Sequence, residues 1–196
     1  MFGNTITTDN AVALLTDLGL SGMAPSPTLE MLARTDSRYL KDLKININNV
    51  LNAETLTRKE AYLLALSVAA NESKQVLLDA FKTKALAEGA TDKEVAEVIS
   101  CTSLLNANNV YYRFRHFMNE EFYSNAQAGI RMSIMANPVN GKEFFELISL
   151  TVSAINGCEL CVTSHEKTLV GHGTSKHRIH DAVRLAAVVK SLTIFF

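Results

Sequence analysis

Tryptophan is absent from this chain of 196 residues, proline and cysteine each occur only three times, and glycine nine times. So few helix breakers leave long stretches free to coil. The three cysteines do not make the disulfide framework of a small secreted domain. Charge of one sign is also lacking, since 19 basic residues face 20 acidic ones and the formal net charge is −1. The interleaved signs offer no basic tract for a nucleic-acid backbone, which argues against a nucleic-acid role. No apolar run is as long as a bilayer span, so no membrane segment is expected. Residues 1–10 lack the basic segment and apolar core of a secretory signal, and the expected compartment is the reducing cytoplasm.

Apolar residues are abundant, at 47% of the chain. A chain of this length buries roughly 70% of its unfolded surface around an ordinary hydrophobic core. Alanine and leucine recur in long periodic runs, which predicts an all-α protein. Helices are expected near 57–70, 73–87, 92–118, 126–136, 141–155, 158–170 and 176–196. Thr57 with Glu60, Thr91 with Glu94 and Asn140 with Glu143 read as capping boxes ahead of apolar-periodic runs. Gly89, Asn137-Pro138, Asn156-Gly157 and Gly171-His172-Gly173 read as breaks.

Residues 1–35 are expected to form an N-terminal helical extension, with one helix near 10–18 and a second started by Pro27 after Ser26. Residues 36–196 form the main domain, although 36–50 begins as helix and ends Asn-rich, without a clear assignment. A weak internal repeat relates 67–71 to 152–156 and 89–91 to 173–175, giving two similar halves at about 57–118 and 141–196. In that register Ser73, Val76 and Ala80 take the places of Cys158, Cys161 and His165. Only the second half then keeps the chemistry.

That chemistry lies in Cys158-Glu159-Leu160-Cys161-Val162-Thr163-Ser164-His165. On a helix, Cys158, Cys161 and His165 share one face over about two turns. With Asn156 as N-cap and Glu159 as its capping-box partner, both thiols lie in the first turns, where the macrodipole favours thiolate. If the helices on either side of Asn156-Gly157 fold back as a hairpin, Glu146 and His165 stand at about the same height. A carboxylate then holds an imidazole one turn from Cys161, a relay suited to thiol proton transfer.

Other readings of these residues remain open. Cys158, Cys161, His165 and one of His172, His177 or His180 supply four ligands for structural zinc. Cys101, in an apolar helix, reads as a small core residue. The run from Tyr111 to Phe117 suggests single-strand stacking, but the neutral charge favours half-buried packing with local ion pairs.

Several segments resemble the alkyl hydroperoxide reductase D family, within the broader carboxymuconolactone decarboxylase-like superfamily. They are Lys41-Asp42-Leu43-Lys44, Asn108-Asn109-Val110-Tyr111-Tyr112-Arg113, Gly129-Ile130-Arg131-Met132, Ala136-Asn137-Pro138, Phe145-Glu146-Leu147, the stretch from Val152 to Cys158, Cys161, and His165-Glu166-Lys167-Thr168-Leu169. The resemblance spans about 38–196. It implies an all-helical subunit, assembled as a homotrimer, that reduces a peroxiredoxin of the alkyl hydroperoxide reductase C type and, more weakly, alkyl hydroperoxides. No cofactor is tightly bound, and electrons come from dihydrolipoamide on a lipoylated acyltransferase.

Glu146, Cys158, Cys161 and His165 fall on the family's catalytic positions. The resemblance makes Cys161 the sulfenic-acid-forming thiol and Cys158 the partner that closes the disulfide. Leu160 stands where members often carry a second histidine. A non-redox lactone decarboxylase-like activity of the wider superfamily is the remaining alternative.

Overall fold

The computed structural model describes the backbone of residues 5–196 and the side chains from residue 10 onward. Among the described residues every regular element is helical, as the periodicity predicts. In order these are α1 (Thr5–Asp17), α2 (Pro27–Arg34), α3 (Arg38–Leu51), α4 (Arg58–Asn71), α5 (Gln75–Ala87), α6 (Asp92–Met118), α7 (Glu121–Asn125), α8 (Lys142–Ile155), α9 (Glu159–Gly171) and α10 (Lys176–Leu192). Short 3-10 turns occupy Ser133–Met135 and Thr193–Phe195.

Helices α4 and α8 form the centre. Every residue from Ala61 to Ala69 is buried, and so are those from Leu147 to Ser153, so these stretches are enclosed on all sides, with the hydroxyls of Ser67, Ser149 and Thr151 bonded to carbonyls of their own helix. α5 packs back on α4 and α9 on α8, while α10 lies across α3, α4 and α8, and α6 across α4, α8 and α9. Ala11, Leu14 and Leu15 of α1, Leu18 just beyond it, and Leu29 and Ala33 of α2 join the same hydrophobic cluster. The buried end of the chain, Leu192 and Phe195, is covered by that core as well.

One open segment is assigned and two local expectations are corrected. The Asn-rich end of 36–50 is helical, because Leu40, Leu43, Ile47, Val50 and Leu51 recur at helical spacing on the buried face and leave the asparagines outside. No helix spans 126–136, where Gly129 takes φ 65° and only the 3-10 turn is regular. Asn140 does not cap α8. It donates from its backbone and its amide to buried Glu97, at 2.7 and 2.8 Å, and the N-cap is Gly141 at φ 79°, ψ 154°, a conformation that favours glycine. The two other capping boxes are present as expected.

The helix starts also recur at a fixed spacing. The N-caps Thr57, Lys74 and Thr91 match Gly141, Cys158 and Ser175 at one constant separation, and Ser73 at φ 55° matches Gly157 at φ 67°. Matched cap to cap, Lys74, Leu77 and Phe81 stand opposite Cys158, Cys161 and His165. The notional partners Ser73, Val76 and Ala80 are one residue out.

Arg178 ties the helix starts together. It donates to Glu60 at 2.6 Å, to Glu143 at 2.9 Å and to the Thr55 carbonyl at 2.6 Å. Burial pushes the Glu60 pKa up, but the hydrogen bonds from Arg178 and Thr57 and the Arg178 charge outweigh it and hold the carboxyl below its ordinary 4.5. Replacing Arg178 with alanine leaves two half-buried carboxylates facing one another, and urea unfolding should show a loss of about 2 kcal/mol. Because the folded pKa of Glu60 is depressed, its contribution is complete above 4.5 and is lost as pH falls through the folded value. Glu60→Gln should therefore weaken the pH dependence of stability below pH 4.5, measured by urea midpoints across that range.

Candidate active site

The turn that presents the cysteines is set by the end of α8. Asn156 is its C-cap, Gly157 follows at φ 67°, and the N–H groups of Gly157 and Cys158 donate to the carbonyls of Ala154 and Ser153. This is a Schellman ending, which needs a left-handed residue where Gly157 stands. The next helix begins at once, so Cys158 itself is the N-cap of α9 and Cys161 lies in the first turn. The expected N-cap Asn156 and its capping box with Glu159 are therefore not formed. Both cysteines still lie at the start of a helix, where the first intrahelical bond is donated by Val162 to Cys158 and the N–H groups before it have no partner within the helix.

Cys158 and Cys161 are joined as a disulfide, with Cα atoms 5.3 Å apart. Cys158 is fully buried, whereas Cys161 keeps 7% of its surface accessible. One turn further along α9, His165 Nδ1 lies 2.7 Å from Glu146 Oε2. The hairpin of α8 and α9 thus brings the carboxylate and imidazole to the same height. A carboxylate only accepts, so Nδ1 carries the proton, and in the neutral ring this leaves the lone pair on Nε2.

Cys161 and His165 open onto a cleft of about 400 Å³ between α6, α9 and the 3-10 turn. Leu105, Tyr112, Met132, Met135 and Leu160 supply its apolar walls, and Asn108 and Ser164 its other polar groups. A wider depression of about 650 Å³ between α3 and α10 is lined by His177, Asp181 and Arg184 but by no cysteine.

Zinc ligands do not assemble. Among the described residues no group of three or more His, Cys, Asp or Glu side chains is arranged to hold a metal ion. Cys101 is buried on α6, 3.6 Å from Ser149 Oγ. Burial pushes its thiol up to about 12, a rise that the nearby carboxylates Glu97 and Glu146 reinforce and the Ser149 hydrogen bond only partly offsets. Mass spectrometry after alkylation of the reduced native protein should find two labels, with Cys101 labelled only on unfolding.

Several residues around the site carried no role in the sequence. Arg113 Nη1 donates to the Asn156 carbonyl at 2.5 Å, Asn156 donates to Asn109 at 3.0 Å, and Asn71 donates to Asn156 at 3.0 Å. Asn109, itself buried, donates to Ser153 at 2.9 Å. This amide network clamps the turn just ahead of Cys158. Its only sequence signal is an Asn108-Asn109 pair inside an otherwise apolar-periodic helix, a placement that costs stability unless both amides are used. The aromatic run is only partly the half-buried packing expected. Tyr111 and Tyr112 are half-buried beside the Arg115 guanidinium, but Phe114 is 44% and Phe117 73% exposed.

Residues 124–192, which include the whole CxxC helix, match the model of the carboxymuconolactone decarboxylase family. The alkyl hydroperoxide reductase AhpD of Anaeromyxobacter dehalogenans strain 2CP-C is 40% identical over 154 residues, covering 79% of this chain and 82% of that protein. The protein of the same name from Coxiella burnetii strain RSA 493 / Nine Mile phase I is 40% identical over 158 residues, 79% of this chain and 88% of its own length. That from Anaeromyxobacter sp. strain K is 36% identical over 167 residues, covering 85% and 89%. At these identities, sustained over most of both sequences, the chain belongs to the alkyl hydroperoxide reductase AhpD family.

Proposed function

We propose that the protein is a peroxide-directed thiol–disulfide oxidoreductase whose centre is Cys158 and Cys161, with His165 as general base and acid and Glu146 orienting it. The observation that carries this reading is the 2.7 Å contact of His165 with Glu146, one turn from a cysteine that opens onto an apolar cleft. In the reduced protein His165 Nε2 takes the Cys161 proton, directly or through water. The Cys161 thiolate attacks a hydroperoxide, the S–O bond forms as the O–O bond breaks, and the departing alkoxide takes the proton from His165. Cys158 then attacks the sulfenic acid, closing the disulfide and releasing water.

Return to the dithiol needs two electrons from a dithiol donor. The cleft exposes Cys161 rather than Cys158, so the donor thiolate attacks Cys161 and Cys158 leaves. This differs from an approach at Cys158, whose sulfur is enclosed. The second donor thiol resolves the mixed disulfide and frees Cys161.

Dihydrolipoamide on a lipoylated acyltransferase is the proposed donor, and a disulfide-form peroxiredoxin of the alkyl hydroperoxide reductase C type the main acceptor. The names of the relatives support the peroxide chemistry. With Leu160 in place of a second histidine, direct peroxide reduction is the weaker of the two activities. A homotrimer in the cytoplasm completes the proposal. The exposed Val110, Phe114, Phe117 and Phe122 of α6 and α7 support self-association, because an apolar patch of this kind favours a partner surface.

The test is oxidation of dihydrolipoamide by the purified protein with either tert-butyl hydroperoxide or an oxidised peroxiredoxin of that type. The proposal expects turnover with both, faster with the peroxiredoxin, and loss of both after alkylation of the reduced protein. Absence of turnover with either acceptor contradicts it. Lactone decarboxylation that survives alkylation would instead support the non-redox alternative.

A further inference from the structure

Asn108, in the wall of the cleft, holds the one fully buried side-chain polar atom among the described residues that meets no hydrogen-bond partner. It is 6% exposed, and its amide Nδ2 lies 3.3 Å from Met132 Sδ. Its carbonyl Oδ1 is buried and meets no hydrogen-bond donor among the described residues. Turning the amide over sets the carbonyl against the Met132 thioether, which has no hydrogen to donate, so the carbonyl stays unpaired. A buried carbonyl without a donor is costly, and a native fold keeps one chiefly where something else supplies the proton. The walls around it, Leu105, Met132, Met135 and Leu160, are apolar, and the remaining polar groups of the cleft are the Tyr112 and Ser164 hydroxyls and the His165 imidazole, which the proton relay already uses.

We infer that Asn108 binds the hydroperoxide group itself, its Oδ1 accepting the O–H of the terminal peroxide oxygen while the apolar walls take the alkyl chain. This rests on the oxidoreductase reading above. The terminal oxygen is the one that Cys161 attacks, so a hydrogen bond to its proton holds that oxygen toward the sulfur and turns the alkoxide leaving group away from it. The S–O bond forms on the oxygen held by Asn108, the O–O bond breaks, and the alkoxide receives its proton from His165. The nascent sulfenic acid keeps the same O–H, and hence the same hydrogen bond, until Cys158 displaces it as water. Oδ1 is closed off in the resting protein, so Met132, which occupies the amide, swings aside to let the peroxide reach it, a movement that makes and breaks no covalent bond.

The test compares wild type, Asn108→Leu and Asn108→Ala as the reduced proteins in stopped flow against tert-butyl hydroperoxide. Parallel runs use N-ethylmaleimide, a thiol reagent with no hydrogen to donate, and urea unfolding. Loss of one hydrogen bond made at the reacting group predicts a fall of about tenfold or more in the second-order constant for the hydroperoxide. The N-ethylmaleimide rate stays within about twofold, since the thiolate is untouched, and Asn108→Leu is as stable as wild type because an unpaired carbonyl has been removed. Asn108→Ala serves the same comparison should leucine overfill the cleft. Hydroperoxide rates equal to wild type in either folded variant overturn the inference while leaving the oxidoreductase reading intact. A fall shared equally by N-ethylmaleimide overturns it in favour of an effect on the thiol. A wild-type protein inert to the hydroperoxide defeats the reading and the inference together.

Discussion

Replacing Cys161 with serine is expected to abolish reduction of both hydroperoxide and partner disulfide, by about three orders of magnitude or more, with stability changed by less than about 1 kcal/mol. A serine hydroxyl is a far weaker nucleophile at neutral pH than a thiol in the first turn of a helix, where unpaired N–H groups favour the anion. The side chain is nearly buried but small, so the fold loses little. The companion Cys158→Ser variant separates the two sulfurs. Its Cys161 still meets peroxide and forms a sulfenic acid, but no thiol remains to close the disulfide, and turnover stops after one event. Trapping with a sulfenic-acid reagent should label Cys161 in that variant. Label on Cys158 in the Cys161→Ser variant at a comparable rate would reverse the assignment.

The second large effect is expected at His165. Alanine there should lower the peroxide rate at neutral pH by about 10²–10⁴-fold, the usual contribution of a positioned general base. The deficit should shrink as the pH is raised past a free thiol's pKa of about 8.5, because hydroxide then makes the thiolate that the imidazole no longer makes. A purely structural histidine would give a deficit independent of pH, which distinguishes the two roles. Glu146→Gln should cost less, since a neutral amide still accepts from Nδ1 but no longer stabilises the imidazolium. A profile of rate against pH for the three proteins reads both effects.

The site was legible to the extent that it follows helix geometry. Cys161 and His165 are one turn apart on any helix, and counting residues from the Asn156-Gly157 turn set Glu146 level with His165. The structure brings those two side chains within 2.7 Å. Fold class was legible for the same reason, because α4, α6 and α8 carry long apolar runs and capping boxes start α4 and α6. What the sequence hid depends on tertiary contacts. Asn140 looks like a cap to any local reading, yet buried Glu97 claims it and Glu143 goes to Arg178 instead. The segment 126–136 carries helix-compatible residues, but Gly129 and the cleft contacts of Met132 and Met135 draw it into a loop. The polar side of the cleft was hidden too. Asn108, Asn109 and Arg113 lie far from the CxxC in sequence, and only the packing of α6 against α8 and α9 shows what they touch.

The most direct measurement of the central claim is a redox titration of the purified protein against dithiol buffers, with alkylation at each potential and peptide mapping of the labels. The account predicts a single reversible two-electron step in which Cys158 and Cys161 lose and regain their labels together while Cys101 remains unlabelled in the native protein. Thiols at Cys158 and Cys161 that stay labelled at every potential, or a step that involves Cys101, would contradict it.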